Sequence, residues 1–352
     1  MSMAELVVED LRCLRRAELH LHPGQNLVWG GNGSGKTSLL EAIFMLGRGR
    51  SFRTRSSERL IRHGQDKLVI FGRTDDVPPQ TLGVQVSRRE GTVAKRNGTF
   101  VDSLAELSQA FPVQIIDPGV HRLVEEGGFR RRRWMDWAVF HVEQGFISVW
   151  LRYTRALKQR NAALRTQPDE ATAWDPELAR LGEIIGEQRR LFMEQLQPYW
   201  KDAIQALCGL DVELHYHRGW PQDLTLAQAL EAARERDRTR GITHPGPHRA
   251  DIVLRSGTRL AREVLSRGQQ KLVAIAMILS QIAMLQQVVG THPTLLLDDP
   301  AAELDQAHLG RFIERVVALR CQLVMTALHA DFELFGKPDR VFHVEQGEVR
   351  PV

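Results

Sequence analysis

Gly30-Gly31-Asn32-Gly33-Ser34-Gly35-Lys36-Thr37-Ser38 satisfies the phosphate-binding pattern G-x-x-x-x-G-K-[ST] without a mismatch. Its flanks agree with that reading. Asn26-Leu27-Val28-Trp29 before it has the pattern of a short buried strand, and residues 38–46 after it form a mostly apolar helix. Glycines let successive backbone N–H groups curl around phosphate oxygens, and the helix N-terminus adds partial positive charge. Lys36 is expected to neutralise the β and γ oxygens of ATP, and Thr37 to offer its hydroxyl to Mg2+. Taken alone, the string could still be a plain strand-to-helix turn, so the rest of the chain has to decide.

The chain has 352 residues, room for about two domains, and 43% hydrophobic content is enough for a sizeable core. Its apolar stretches fall short of the roughly 18 residues a membrane span needs, and Met1-Ser2-Met3-Ala4-Glu5 lacks a signal-peptide pattern. A soluble, cytoplasmic protein without a membrane partner is expected. Cys13, Cys208 and Cys321 are scattered, which fits neither a disulfide framework nor a zinc site. A formal charge of +4 is too mild to establish a nucleic-acid partner by itself.

Residues 1–125 read as the N-terminal half of an α/β ATPase head, with strands at 5–11, 17–22, 68–74 and 81–88. Asn97-Gly98 between residues 92–96 and 99–101 is a hairpin signal, since both turn positions need positive φ. A mixed-sheet core plus an antiparallel β subdomain follows. Residues 126–242 read as an inserted helical lobe, and Asp175 with Pro176 behind it is the expected N-cap of one of its helices. Residues 243–352 read as the C-terminal half of the head. Strands are expected there at 250–255, 294–298 and 322–326, helices at 268–288 and 306–319, and a hairpin across Gln346-Gly347.

Leu265-Ser266-Arg267-Gly268-Gln269-Gln270-Lys271 opens the first of those helices and resembles the signature loop of ABC-type ATPases, with Arg267 in place of the first glycine. A serine N-cap starting a helix is the plain alternative. Thr294-Leu295-Leu296-Leu297-Asp298-Asp299-Pro300 has the Walker B form, a buried apolar strand ending in acids. Asp298 is expected to hold magnesium through water, and Asp299 to orient or deprotonate the attacking water. ABC ATPases usually carry Glu at the second place. Aspartate is one methylene shorter, so slow hydrolysis is expected. Ala302-Glu303-Leu304-Asp305 stands at the place of the D-loop. Gln114 occupies the place of the Q-loop, where it would contact magnesium. The switch strand, residues 321–327, lacks its histidine; Thr326 and His329 are the nearest candidates.

Resemblance to ABC folds implies that Ser266, Arg267, Gly268 and Gln269 of one chain cap ATP on Lys36 of another, giving an ATP-dependent two-fold homodimer with two composite sites. Further segments carry a closer likeness: residues 39–43, Gly47-Arg48-Gly49-Arg50-Ser51-Phe52-Arg53, Arg131-Arg132-Arg133-Trp134-Met135-Asp136-Trp137, residues 157–164, and Gly246-Pro247-His248-Arg249-Ala250-Asp251. Over nearly its full length the chain resembles the RecF family, SMC-like ABC ATPases of bacterial recombination and gap repair. That resemblance implies a nucleoid-associated protein that binds double-stranded DNA near single-strand gaps, hydrolyses ATP slowly, and works with RecO and RecR to load RecA. A transporter-type ATPase subunit and a non-catalytic scaffold glued by ATP are the alternatives.

Arg48, Arg50, Arg53, Arg55, Arg59 and Arg62 face a single acid, Glu58, directly after the first helix. Contact with DNA phosphates is expected of them and of Arg131 and Arg132; a solvated surface is the bland reading. His244 and His248 are separated by prolines that rule out helical ligand spacing, so a rigid loop is expected there rather than zinc.

Overall fold

The computed structural model describes residues 2–302, 304–330 and 336–352. In chain order, β1 (Met3–Leu11), β2 (Leu14–His20) and β3 (Gln25–Trp29) lead into α1 (Lys36–Arg48). A 3-10 turn at Ser57–Leu60 precedes β4 (Lys67–Thr74), β5 (Thr81–Ser87), β6 (Gly91–Arg96), β7 (Thr99–Phe100), α2 (Ala105–Ala110) and β8 (Val113–Ile116). Helices α3 (Arg122–Glu125), α4 (Gly128–Val142), α5 (Phe146–Thr166) and α6 (Asp175–Cys208) follow, then β9 (Glu213–His217), α7 (Leu226–Ala232) and α8 (Arg234–Arg240). Next come β10 (Asp251–Ser256), β11 (Arg259–Leu260), α9 (Ala261–Val264) and α10 (Arg267–Val289). The chain closes with β12 (Thr294–Leu297), α11 (Gln306–Ala318), β13 (Leu323–Ala327), β14 (Arg340–Glu345) and β15 (Glu348–Pro351).

Two compact units result: Met1–Val120 with Gly290–Val352, and His121–Val289. The first holds two six-stranded sheets. One, ordered β2-β1-β4-β5-β6-β7, is antiparallel throughout. The other, ordered β15-β14-β3-β13-β12-β8, is parallel except for its edge strand β15. Helix α1 touches strands of both sheets, which explains why Leu39 to Gly47 are all buried and the helix has no polar face. A Cβ on Gly47 would stand 2.4 Å from the Phe111 carbonyl oxygen, so only glycine permits that approach. The Asn97-Gly98 turn has the positive φ its hairpin requires, 49° and 81°.

The second unit is helical, with a three-stranded antiparallel sheet β11-β10-β9. It runs on to Val289, beyond the expected edge at 242, because α10 packs against α6, α4 and α3. Helix α10 is long and apolar enough to cross a membrane, contrary to the reading of the apolar runs; its burial within this unit accounts for that composition. Strand β9 arises where helix was expected, with Leu214 buried between the exposed Glu213 and His215. Asp175 is the first residue of α6 rather than its cap, and its carboxylate instead accepts Arg160 Nε at 2.6 Å.

Candidate functional site

The phosphate loop needs three left-handed glycines: Gly30, Gly33 and Gly35 have φ of 156°, 76° and 121°. A Cβ on Gly30 would lie 2.1 Å from the Val344 carbonyl oxygen, and one on Gly35 would lie 2.8 Å from Leu14 Cδ2. The loop is thus pressed between β14 and the start of β2, and the Gly347 N–H donates to the Ser34 carbonyl at 3.0 Å. Gly31, Asn32 and Gly33 are exposed, while Ser34, Gly35, Lys36 and Ser38 are buried. Lys36 Nζ donates to the carbonyls of Gly30 at 2.6 Å and Gly31 at 2.9 Å. Burial pushes its pKa below the ordinary lysine value, against the opposite pull of Asp299 and Asp298.

Strand β12 lies between β13 and β8 with all four residues buried, and it delivers its acids at its C-terminal end. There the Asp298 N–H donates to the Ile116 carbonyl at 2.9 Å. Asp298 Oδ1 accepts the Thr37 hydroxyl at 2.9 Å and the Thr326 hydroxyl at 3.0 Å. Thr326 Oγ1 in turn accepts the Asp299 N–H at 3.0 Å and so fixes a residue whose φ is +50°. Burial raises the Asp299 pKa above its ordinary value; Lys36 opposes this and Asp298 adds to it. Lys36, Thr37, Asp298, Asp299 and Thr326 therefore form one cluster.

A hydroxyl and a carboxylate oxygen 2.9 Å apart are hard-oxygen donors of the kind Mg2+ takes, and the buried Ser34 Oγ, without a hydrogen-bond partner, suits a phosphate oxygen. In the sequence Thr326 stands out only as the hydroxyl nearest the place of the missing switch histidine. Its role follows from the strand order, which sets Thr326 beside the end of β12.

Gln114 does not join this cluster. It sits within β8 opposite Leu295, three residues short of Asp298 and so about 10 Å back along the strand. It is buried, and its Oε1 accepts Arg48 Nη2 at 3.2 Å. The same contact turns Arg48 inward, with Nε donating to the Val113 carbonyl and the guanidinium over the Phe44 ring. Neither the magnesium contact expected of Gln114 nor the phosphate contact expected of Arg48 fits this geometry.

Arg50, Arg53, Arg55 and Arg59 are exposed, and Arg62 is half-buried beside Asp10 at 3.5 Å. Arg131 is buried: it makes a two-bonded pair with Asp251 at 2.8 and 2.9 Å and donates to the carbonyls of Leu123, Val124 and Glu126. Arg132 donates to the Ala250 carbonyl at 2.6 Å and is half-buried. The expectation of DNA contact at Arg131 is overturned by its burial, and Arg132 is turned toward the protein.

Ser266 and Gln269 form a reciprocal cap at the start of α10: the Ser266 N–H donates to Gln269 Oε1 at 2.9 Å and the Gln269 N–H to Ser266 Oγ at 3.3 Å. Ser266, Arg267 and Gly268 are nevertheless exposed, and a Cβ on Gly268 would meet only Ser266 Oγ, at 4.0 Å. Glu303 lies outside the described residues, while Asp305 caps α11 through the His308 N–H. His329 is exposed. His248 spans Tyr153 Oη at 2.7 Å and the Thr243 carbonyl at 3.0 Å, and His244 lies 2.6 Å from Asp237, a structural use of both rings.

A family model described as the RecF/RecN/SMC N-terminal domain matches residues 2–350. The DNA replication and repair protein RecF of Cellvibrio japonicus (strain Ueda107) is 40% identical to this chain, with 99% of each covered. That of Shewanella loihica (strain ATCC BAA-1088 / PV-4) is 37% identical over the same shares. Among solved structures, the recombination mediator protein RecF with ATP, of the RecFOR pathway, superimposes with a TM-score of 0.89 at 25% identity, covering 99% of this chain and 97% of that one. An SMC head bound to the C-winged helix domain of ScpA shares the fold alone, with a TM-score of 0.61 at 15% identity.

Proposed function

The chain belongs to the RecF/RecN/SMC N-terminal domain family, and on that premise we propose that it is an ATP-dependent recombination mediator of DNA replication and repair. Its fold is the ABC-type ATPase head of SMC and RecF proteins. In this reading the protein dimerises on ATP, binds duplex DNA beside single-strand gaps, helps RecO and RecR load RecA, and hydrolyses ATP slowly under DNA stimulation.

The observation that carries the reading is the convergence of Lys36, Thr37, Asp298, Asp299 and Thr326 at the end of β12. Bound Mg2+ would be held by Thr37 and Asp298, and it supplies neutralisation of the charge that builds on the phosphate oxygens. The ammonium of Lys36, now satisfied by two loop carbonyls, exchanges them for phosphate oxygens of ATP. Asp299, with its raised proton affinity, is a stronger base than an exposed aspartate and accepts a proton from the attacking water. Thr326 keeps Asp299 and Asp298 in register. The exposed Ser266, Arg267 and Gly268, with Gln269, cap the ATP of a second copy, so nucleotide and dimer tighten each other. Exposed Arg50, Arg53, Arg55 and Arg59 meet DNA phosphates rather than bases.

Sedimentation with ATP, with and without duplex DNA, tests the reading together with turnover. Duplex DNA is expected to raise the dimer fraction and the hydrolysis rate together. Ser266→Arg is expected to keep nucleotide binding and lose the dimer; a Ser266→Arg protein that still dimerises overturns the composite site.

A further inference from the structure

Glu41, on the second turn of α1, is fully buried yet takes no part in the phosphate site. Its carboxylate accepts Arg12 Nε at 2.7 Å and Arg12 Nη2 at 3.1 Å, and it also accepts the hydroxyl of Ser51. Ser51 Oγ in turn accepts the backbone N–H groups of Arg53 at 2.9 Å and Thr54 at 3.0 Å. The arginine-bearing segment is therefore fastened to the phosphate-loop helix at its start.

Its far end is fastened too. The Arg12 N–H donates to the Leu60 carbonyl and the Arg62 N–H to the Asp10 carbonyl, both at 2.8 Å, and Leu11 pairs with Ile61. Asp10 and Arg12 have φ of 53° and 54°, a conformation that non-glycine residues hold only when their surroundings impose it. The next residue abuts the phosphate loop: Cys13 Sγ would meet a Cβ on Gly35 at 3.2 Å, and the Cys13 carbonyl would meet one on Gly347 at 2.3 Å. Arg12 belongs to both fastenings, with its guanidinium on Glu41 and its backbone on Leu60. An exposed segment whose basic side chains face solvent needs no buried carboxylate for solubility, and burying one is costly unless it is fully paired.

We infer that Glu41 and Ser51 are positioning residues that couple polyanion bound on Arg50, Arg53, Arg55 and Arg59 to the geometry of the phosphate loop. This rests on the DNA reading above. Ser51→Ala is the sharpest probe, because it leaves the Arg12–Glu41 pair intact while releasing the segment. With duplex DNA as the polyanion, Ser51→Ala is expected to retain DNA affinity, ATP affinity and basal turnover while DNA stimulation falls about five-fold or more. Ser51→Thr, which keeps the hydroxyl, restores it. Glu41→Gln should lose stimulation as well, and thermal melting of each variant checks that it is folded. Full stimulation in folded Ser51→Ala and Glu41→Gln overturns the coupling and leaves the DNA reading standing. Loss of DNA affinity in step with stimulation also overturns it, since the network would then only shape the binding surface. Absence of stimulation in the unsubstituted protein sinks the DNA reading and the coupling with it.

Discussion

The phosphate-loop cluster and the arginine network of the helical unit both place charge where water is scarce, and they treat it in opposite ways. Arg160, 1% exposed, gives Nε to Asp175 at 2.6 Å and Nη1 to Asp237 at 2.8 Å and Thr243 at 2.9 Å. Arg189, fully buried, holds Asp136 at 2.8 and 3.0 Å, donates to the Pro247 carbonyl at 2.7 Å and faces the Trp150 ring. Both guanidinium groups are matched by carboxylates and bonded on several sides. At the phosphate loop the hydrogen bonds of Lys36 go to two carbonyls and none to a carboxylate, and Asp299 is burdened by burial and by the adjacent Asp298. A balanced network is a frame, whereas an unbalanced cluster holds interaction energy for a ligand.

The largest effect expected is on the frame. Arg160→Met leaves Asp237 buried without its main partner and should cost about 3–5 kcal/mol in chemical denaturation. Lys36→Met, by contrast, should abolish ATP binding at little cost in stability, because burial already disfavours the lysine's charged form. If Arg160→Met cost no more than Lys36→Met, the contrast between the regions would be wrong.

Asp299→Asn sharpens it from the other side. Single-turnover hydrolysis should fall about 10²–10⁴-fold, the range of a lost general base. Stability should not fall. The folded-state pKa of Asp299 is raised, so its favourable contribution is present below the unfolded value and lost as pH rises through the folded one. At neutral pH the carboxylate is a folding penalty that asparagine removes. A hydrolysis rate unchanged by Asp299→Asn would instead favour ATP as mere dimer glue.

The frame has its own pH signature. Burial lowers His248 from 6.5 to about 4, helped by Arg249 and Arg132 and opposed by the Thr243 carbonyl and Asp237. A depressed histidine pKa means the folded state keeps the ring neutral while the unfolded chain protonates. Stability from this group is complete above pH 6.5 and drains away between pH 6.5 and about 4. The loss should be about 3 kcal/mol at most, read as a falling denaturation midpoint that flattens in His248→Gln.

The two regions also differed in how legible they were. The phosphate loop and the strand of Asp298 are local: glycines at fixed offsets and an apolar run ending in acids can be read without knowing the fold. The segments that carried the family likeness outside those motifs meet only in three dimensions. Arg131 finds Asp251, 120 residues away, Arg160 finds Asp237 at 77, and Asn161 accepts the Thr243 N–H at 2.8 Å. From sequence an arginine at such a position looks solvated, because its partner's distance in space has no local signature. That is why Arg131 reads as a phosphate contact and serves as frame. Helix α10 misled in a similar way, since an apolar helix says that it is buried but not in which unit.

Thr326 is where the smallest effect is expected, and it lies between the two categories. Its hydroxyl donates to Asp298 Oδ1 and accepts the Asp299 N–H, so it is a structural bond inside the reactive cluster. Thr326→Val conserves the shape and removes both bonds, leaving the half-buried Asp299 N–H without its partner at a cost of about 1 kcal/mol. If the cluster works as one unit, hydrolysis falls while ATP affinity, which depends on Lys36 and the loop, changes little. Thr326→Ser, which keeps the oxygen, should recover the rate. A Thr326→Val protein that loses stability and keeps full hydrolysis would move this residue into the frame, and would show that Asp299 holds its left-handed backbone without help from the neighbouring strand.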